Sequence, residues 1–202
     1  MGIYFPFALI FKDIKQPPSQ IFLWAQTLVW DTPLLLWMRI LSFFRIRALQ
    51  PFYSEINEYL IIGSLPLPCD GVVLHELNCG AVVNMCREYE GPTQEYQRYG
   101  IVQYRAPTPD LCQPTLEHII DGCEFMHEFR RLNPSKRIFV HCKGGRARAA
   151  TMAICFLLRE GRTKVAEVEE LMTLLTQRRR VISRAIARYP VIQEYAKHVA
   201  SS

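Results

Sequence analysis

A cysteine and an arginine stand six positions apart in the segment Val140 to Ala150, which reads Val-His-Cys-Lys-Gly-Gly-Arg-Ala-Arg-Ala-Ala. A strand-like run ends just before Cys142 and an apolar, helix-like run begins after Arg148. The backbone amides between them are therefore expected to converge at a helix N-terminus, where anions bind. The positive potential of such a loop favours a thiolate, which a free cysteine scarcely populates at neutral pH. The segment predicts phosphate transfer with Cys142 as the nucleophile.

The other residues of this segment have roles that follow from their chemistry. Arg148 presents a planar fork that matches two phosphoryl oxygens. We expect His141 to orient the loop by hydrogen bonds from inside the core; the alternative is an ordinary core histidine. The alternative is a buried cysteine before a plain glycine turn, but this does not explain why the cysteine, the glycines and the arginine occur together. The residues expected to bind the phosphate are Lys143, Gly144, Gly145, Arg146 and Ala147.

Two other ligand classes do not fit the sequence. A Walker loop requires Gly-Xaa4-Gly-Lys-Ser/Thr, which is absent, and no Cys-Xaa2-Cys pair suggests zinc. We therefore expect a reaction that needs no metal and no cofactor.

The motif His-Cys-Xaa5-Arg between a strand and a helix resembles the signature of the cysteine-dependent phosphatases. These enzymes carry a general acid on the loop after the strand that precedes a Pro-Thr helix. Here the strand is Val102 to Arg105, the helix starts at Pro114-Thr115, and Asp110 lies between them on a proline-rich loop. Taken alone, an aspartate beside prolines is more often a turn or capping residue. The resemblance favours Asp110 as the acid.

Within these phosphatases, the chain from about Tyr53 to Tyr195 is similar to the mitochondrial dual-specificity enzymes that dephosphorylate phosphatidylglycerophosphate. The resemblance implies a phospholipid substrate on the route to cardiolipin and a membrane-associated location, the mitochondrial inner membrane. It also places an acidic loop beside the active site, here Glu88, Tyr89 and Glu90 after Arg87, which replaces the family's first glutamate; a solvated charged loop is the alternative. The segments that match are Leu60 to Leu67, Asn84-Met85 with Glu88 to Glu90, Asp110 with Pro114-Thr115, and His141 to Met152.

Some features leave the substrate and the rate open. The family's arginine is usually followed by Ser or Thr, whose hydroxyl eases departure of the cysteine sulfur, whereas this chain has Ala149. Lys143 and Arg146 add two cations, a pattern shared with lipid phosphatases, although they could simply be solvated. The remaining alternatives are a dual-specificity protein phosphatase, a phosphoinositide phosphatase and a feebly active module that binds a headgroup.

Composition excludes some partners. The net charge of +5 over 202 residues is too small to argue for nucleic acid, and seven cysteines at irregular spacing indicate a reducing compartment. Arginines cluster near the chain's end, and we expect this cluster to face an anionic ligand or an acidic membrane surface. They are Arg178, Arg179, Arg180, Arg184 and Arg188.

Residues 1–50 differ in kind from residues 51–202. They are aromatic and apolar with few charges, but Asp31 and Pro33 interrupt the run, and neither side reaches the ~20 residues that cross a bilayer. A broken or interfacial helix pair that associates with the membrane is the prediction. The alternative is a helix pair packed on the catalytic domain. The proposed division is a membrane-associating segment, 1–50, and a phosphatase domain, 51–202.

The phosphatase domain is predicted as a three-layer α/β fold, a mostly parallel sheet flanked by helices. Short apolar runs without polar alternation indicate strands that are buried on both faces. Ligands are then expected at the carboxyl ends of the strands. The predicted strands are Tyr59 to Ile62, Ala81 to Met85, Val102 to Arg105 and Ile138 to Val140; the predicted helices include Pro114 to Leu132 and, after a Thr163 cap, Lys164 to Arg179.

Overall fold

The computed structural model describes residues 51–161 and 168–201. The predicted membrane segment and the Thr163 cap lie outside the described residues. The strands are β1 (Tyr53–Glu55), β2 (Leu60–Gly63), β3 (Cys79–Cys86), β4 (Val102–Thr108) and β5 (Arg137–His141). The helices are α1 (Gly71–Glu76), α2 (Thr93–Arg98), α3 (Leu116–Leu132), α4 (Arg148–Gly161), α5 (Val168–Arg178) and α6 (Pro190–Ser201), with 3-10 turns at Pro68–Asp70 and Arg184–Arg188.

The strands form one sheet in the order β1-β2-β5-β3-β4. β2, β5, β3 and β4 are parallel, and only the short edge strand β1 is antiparallel to its neighbour. This confirms the predicted mostly parallel sheet. β5 lies between β2 and β3, so the end of β5 at His141 is next to Gly63 on one side and Asn84 on the other.

The two faces of the sheet bury different sets of side chains, because successive residues of a strand point to opposite faces. On one face, Ile62 and Val140 belong to the large core that also contains residues of α3, α4, α5 and α6. On the other, Ile61 and Phe139 join Leu74 of α1 and Tyr96 of α2 in a smaller core. Helices therefore cover both faces, which confirms the three layers.

Helix α3 begins at Leu116, two residues after the predicted start, because Thr115 caps it. The Thr115 side chain accepts a hydrogen bond from the amide of His118 at 3.2 Å. One face of this helix lies in the core, with Ile119, Cys123 and Met126 fully buried. No helix in the described ranges has both the length and the apolar character needed to span a membrane.

Candidate active site

Four parallel strands end at one edge of the sheet, and the predicted site residues follow directly after three of them. Cys142 is the next residue after β5, Glu88 lies two residues after β3, and Asp110 lies two residues after β4. Residues 142–148, here called the cysteine loop, run from the end of β5 to the first residue of α4. The topology therefore brings together groups that are up to 60 residues apart in the chain.

One of the two loop glycines is required by the fold. Gly145 has φ +61°, and a Cβ there would lie 2.4 Å from the carbonyl oxygen of Gly63. At Gly144 the nearest atoms to an added Cβ belong to the Arg146 side chain, at 3.6 Å, which is ordinary contact. Only Gly145 thus lets the loop turn closely over the end of β2.

Arg148 is buried and is shared between two carboxylates. Its Nη1 and Nη2 atoms donate to the two Glu88 oxygens at 3.1 and 3.0 Å, a bidentate pair. Nη2 also donates to Asp110 Oδ1 at 2.6 Å, and Nη1 to the Thr108 carbonyl at 2.8 Å. Burial lowers the pKa of Arg148, but the Cys142 and Glu88 side chains outweigh it and raise this pKa above its ordinary value. The guanidinium is therefore a fixed cation beside Cys142.

Asp110 reaches the cysteine loop from the loop after β4. Its second carboxylate oxygen, Oδ2, lies 3.2 Å from Lys143 Nζ, while Oδ1 accepts from Arg148 and from the amide of Leu111. Leu111 has φ +62° and its side chain is 83% exposed. The loop thus turns its apolar residue outward and its carboxylate inward, onto the two cations.

The residues of the acidic segment after β3 lie partly at the site and partly on the surface. Glu88 contacts Arg148, as above. The Tyr89 hydroxyl donates to the Pro66 carbonyl at 2.8 Å, which fixes the segment to the loop after β2. Glu90 is instead paired with Arg105 on the surface, at 3.4 Å. Of the three residues of this acidic segment, Glu88 makes hydrogen bonds to Arg148 of the cysteine loop.

His141 is fully buried at the end of β5. Neither ring nitrogen has a partner of normal hydrogen-bond geometry among the described residues, although the Cys142 backbone lies close to the ring. Burial lowers the pKa of His141 to about 3, so the imidazole is neutral. Its ring also packs against Phe139. The role of His141 in orienting the loop by hydrogen bonds stays a prediction.

The arginine cluster also differs from the prediction at one position. Arg178, Arg180, Arg184 and Arg188 are exposed, but Arg179 is only 1% exposed and lies under the cysteine loop. It follows the buried residues Val168, Met172 and Leu175 of α5 at helical spacing. The helical spacing of these apolar residues indicates that position 179 is buried, whereas the charge of an arginine there indicates the surface.

Residues 68–198, more than half of the chain, match the family described as dual specificity phosphatase, catalytic domain. The chain belongs to the dual-specificity phosphatases. It is accordingly a cysteine-dependent phosphomonoesterase. No cluster of three or more potential metal-ligating His, Cys, Asp or Glu side chains occurs in the part of the chain that the structure describes.

Some of the proteins that this chain resembles have names that describe phosphatases of a phospholipid. Human phosphatidylglycerophosphatase and protein-tyrosine phosphatase 1 is 28% identical over 162 residues, 77% of this chain and 78% of that protein. Arabidopsis thaliana phosphatidylglycerophosphate phosphatase PTPMT1 is 34% identical over 110 residues, 53% of this chain, and the match spans about a third (32%) of that relative's length. A crystal structure of PTPMT1 in complex with PI(5)P superposes with a TM-score of 0.66 at 25% identity, covering 74% of this chain and 97% of that one.

Proposed function

We propose that this chain hydrolyses the terminal phosphate of phosphatidylglycerophosphate through a phosphocysteine on Cys142. The observation that carries the chemistry is the convergence of Arg148, Lys143 and Asp110 on the loop that contains a buried Cys142. The lipid substrate is supported by the names of two relatives, a phosphatidylglycerophosphate phosphatase and a phosphatidylglycerophosphatase and protein-tyrosine phosphatase.

In the first step, Cys142 Sγ attacks phosphorus in line while the bond to the leaving oxygen breaks. The loop amides and Arg148 hold the three equatorial oxygens, and protonated Asp110 gives its proton to the leaving alkoxide. In the structure Asp110 contacts the same two cations that a phosphate requires. Phosphoryl oxygens replace its carboxylate on Arg148 and Lys143, so that Asp110 leaves both cations, takes up a proton from solvent and turns toward the leaving oxygen. Glu88 keeps its bidentate grip and fixes the guanidinium plane.

In the second step, water attacks the phosphocysteine and the sulfur–phosphorus bond breaks. Asp110, now a carboxylate, accepts the proton from that water, which regenerates the acid and releases inorganic phosphate. Ala149 is buried in the first turn of α4 and offers no hydroxyl to the departing sulfur. We expect this step to be slow relative to that of a family member with Ser or Thr there.

The cations of the loop suit a headgroup that carries a second phosphate. Lys143 is buried and paired with Asp110, whereas Arg146 is exposed. We propose that Arg146 meets the phosphodiester of phosphatidylglycerophosphate while Lys143 meets the phosphate being removed.

A phosphoinositide is the second candidate substrate. It is supported by the similar PTPMT1 structure, which contains PI(5)P. Both lipids present a phosphomonoester and a phosphodiester, so the cysteine loop accommodates the shared chemistry of either.

The experiment measures phosphate release by the full chain from a panel of substrates. The panel contains phosphatidylglycerophosphate and phosphoinositides in vesicles, phosphopeptides and an aryl phosphate, with Cys142→Ser as the matched control. We expect phosphatidylglycerophosphate to have the highest kcat/KM and Cys142→Ser to bind phosphate without turnover. Preference for phosphopeptides would indicate a protein phosphatase. Turnover by Cys142→Ser would remove Cys142 from the mechanism, and one burst without steady-state release would indicate a headgroup-binding module.

A further inference from the structure

Arg179, just after α5, donates from every nitrogen of its buried guanidinium. Nε donates to the Gly145 carbonyl at 2.7 Å and Nη2 to the Gly144 carbonyl at 3.1 Å. The other three bonds go to a residue before β1, a residue within β1 and the residue after β2. Their acceptors are the Pro51 carbonyl at 3.0 Å, Ser54 Oγ at 3.3 Å and Ser64 Oγ at 3.3 Å. Five acceptors thus match the five N–H groups that an arginine side chain possesses.

The orientation of these carbonyls determines where the loop amides point. In a planar trans peptide, the C=O of one residue and the N–H of the next point in opposite directions. Arg179 draws the carbonyls of Gly144 and Gly145 beneath the loop, so the N–H groups of Gly145 and Arg146 are directed to the opposite side. The preceding carbonyl, of Lys143, is held in a similar way by the amide of Leu65 at 3.2 Å.

We propose that Arg179 is a positioning residue of the phosphatase reaction: by holding the Gly144 and Gly145 carbonyls under the cysteine loop, it aims the amides of Gly145 and Arg146 at the phosphoryl oxygens. The inference rests on the cysteine loop being the phosphate site of the proposed function. It holds for any phosphomonoester substrate, because the amides contact the phosphate and not the group that leaves.

The charge of Arg179 supports the same role. All five of its hydrogen-bond acceptors are uncharged oxygens, so no carboxylate among the described residues neutralises it through these bonds. Burial lowers the pKa of Arg179 to about 10, the Cys142 side chain opposes this and Arg146 adds to it. The side chain is still a cation at neutral pH, and a buried cation is stabilised by an opposite charge nearby. An anion in the cysteine loop supplies that charge.

Lysine cannot reproduce this arrangement. A lysine ammonium carries its three donors on one atom, whereas the five acceptors of Arg179 lie around a planar fork. The fit is also close, since a Cβ on Gly145 would lie 2.8 Å from Arg179 Nη2. Arg179→Lys therefore keeps a positive charge but leaves loop carbonyls unheld, which separates positioning from charge.

The test uses the full chain with Arg179→Lys and Arg179→Ala, and Arg131→Ala as a control arginine that is exposed and distant from the loop. Activity is measured on an aryl phosphate, oxyanion affinity by competition with tungstate, and folding by thermal unfolding. We expect Arg179→Lys to remain folded, to lose about 10²-fold in kcat/KM, and to bind tungstate at least about 10-fold more weakly. Guanidinium ion at millimolar concentration should restore part of the activity of Arg179→Ala, and methylammonium should not.

A folded Arg179→Lys with wild-type tungstate affinity and kcat/KM would overturn the proposal. The proposal would also be overturned if the variants lost no more activity than their unfolded fraction explains and guanidinium did not rescue Arg179→Ala. Arg179 would then only stabilise the fold. If both variants fail to fold, the wild type provides the test through its amide NMR signals. Tungstate should shift the Gly145 and Arg146 amides most, and unshifted signals there would contradict the proposal. Failure of the proposed function is distinguishable, because it appears as turnover by Cys142→Ser.

Discussion

At the scale of single residues, the two carboxylates that contact Arg148 have different surroundings. Glu88 contacts Arg148 with both oxygens, whereas Asp110 contacts it with one and gives the other to Lys143. Asp110 also sits on a loop whose next residue, Leu111, is exposed to solvent. We infer that Glu88 stays in place during turnover and that Asp110 moves.

This difference predicts how substitutions of the two carboxylates depend on the leaving group. Asp110→Asn should lose about 10²-fold or more in kcat on alkyl phosphates but far less on an aryl phosphate, because only the poor leaving group requires a proton. Glu88→Gln is the matched control, since it loosens Arg148 and should slow both substrates by a similar factor. Rates are compared over a series of leaving groups. Equal losses for Asp110→Asn across the series would show that Asp110 is not the acid.

The buried His141 predicts a pH dependence of stability. Burial lowers its pKa in the folded protein from 6.5 to about 3, so below pH 6.5 the unfolded chain binds a proton that the native protein does not. The contribution to stability is therefore full above pH 6.5 and is lost as the pH falls toward 3. We expect the free energy of unfolding to fall by about 1.4 kcal/mol per pH unit between pH 6 and 5 from this residue.

Denaturant unfolding at several pH values checks this, with His141→Asn as the comparison. The variant should have a shallower slope between pH 6 and 5. It should keep the part contributed by His127, whose pKa is also lowered, mainly by burial. Identical slopes for the two proteins would contradict a neutral, buried His141.

At the scale of elements, the sequence predicts features formed by residues that are close in the chain. It does not predict contacts that depend on how strands and helices pack together. The strand, cysteine loop and helix around Cys142 are contiguous, so residue type and periodicity were sufficient to place them. The bidentate contact of Glu88 with Arg148 depends on β3 lying beside β5, which short-range patterns do not contain. The arginine cluster predicts a surface position for Arg179, because arginines are rarely buried unless paired. β1 was missed because three residues give too short a pattern.

The two glycines of the cysteine loop differ in whether the fold can accept a side chain at their positions. Gly145→Ala would place a Cβ 2.4 Å from a backbone oxygen at a positive φ, which should cost about 2–4 kcal/mol of unfolding free energy and most of the activity. Gly144→Ala meets no atom closer than 3.6 Å and should cost less than about 1 kcal/mol. Thermal unfolding and aryl phosphate hydrolysis of both variants test this. Equal effects would mean that the loop is not seated on β2 as described.

At the scale of the whole molecule, the carboxyl end of the sheet and its opposite end are chemically distinct. The carboxyl end carries the cysteine loop, the exposed Arg146 and the outward-facing Leu111. The opposite end carries Leu132, at the end of α3, which is 61% exposed. A lipid surface that delivers substrate would meet the first end, where an apolar side chain and a cation flank the site.

The final prediction tests whether residues 1–50 and this end act together on lipid. If the apolar N-terminal segment holds the enzyme at an interface, its deletion should lower activity on phosphatidylglycerophosphate vesicles by about 10-fold or more and spare a soluble aryl phosphate. The deletion must retain Pro51, whose carbonyl binds Arg179. In the full chain, Leu111→Asp should weaken vesicle activity more than its control, Leu132→Asp. Vesicle activity that is unchanged by the deletion would exclude membrane association by residues 1–50 as a source of the lipid preference.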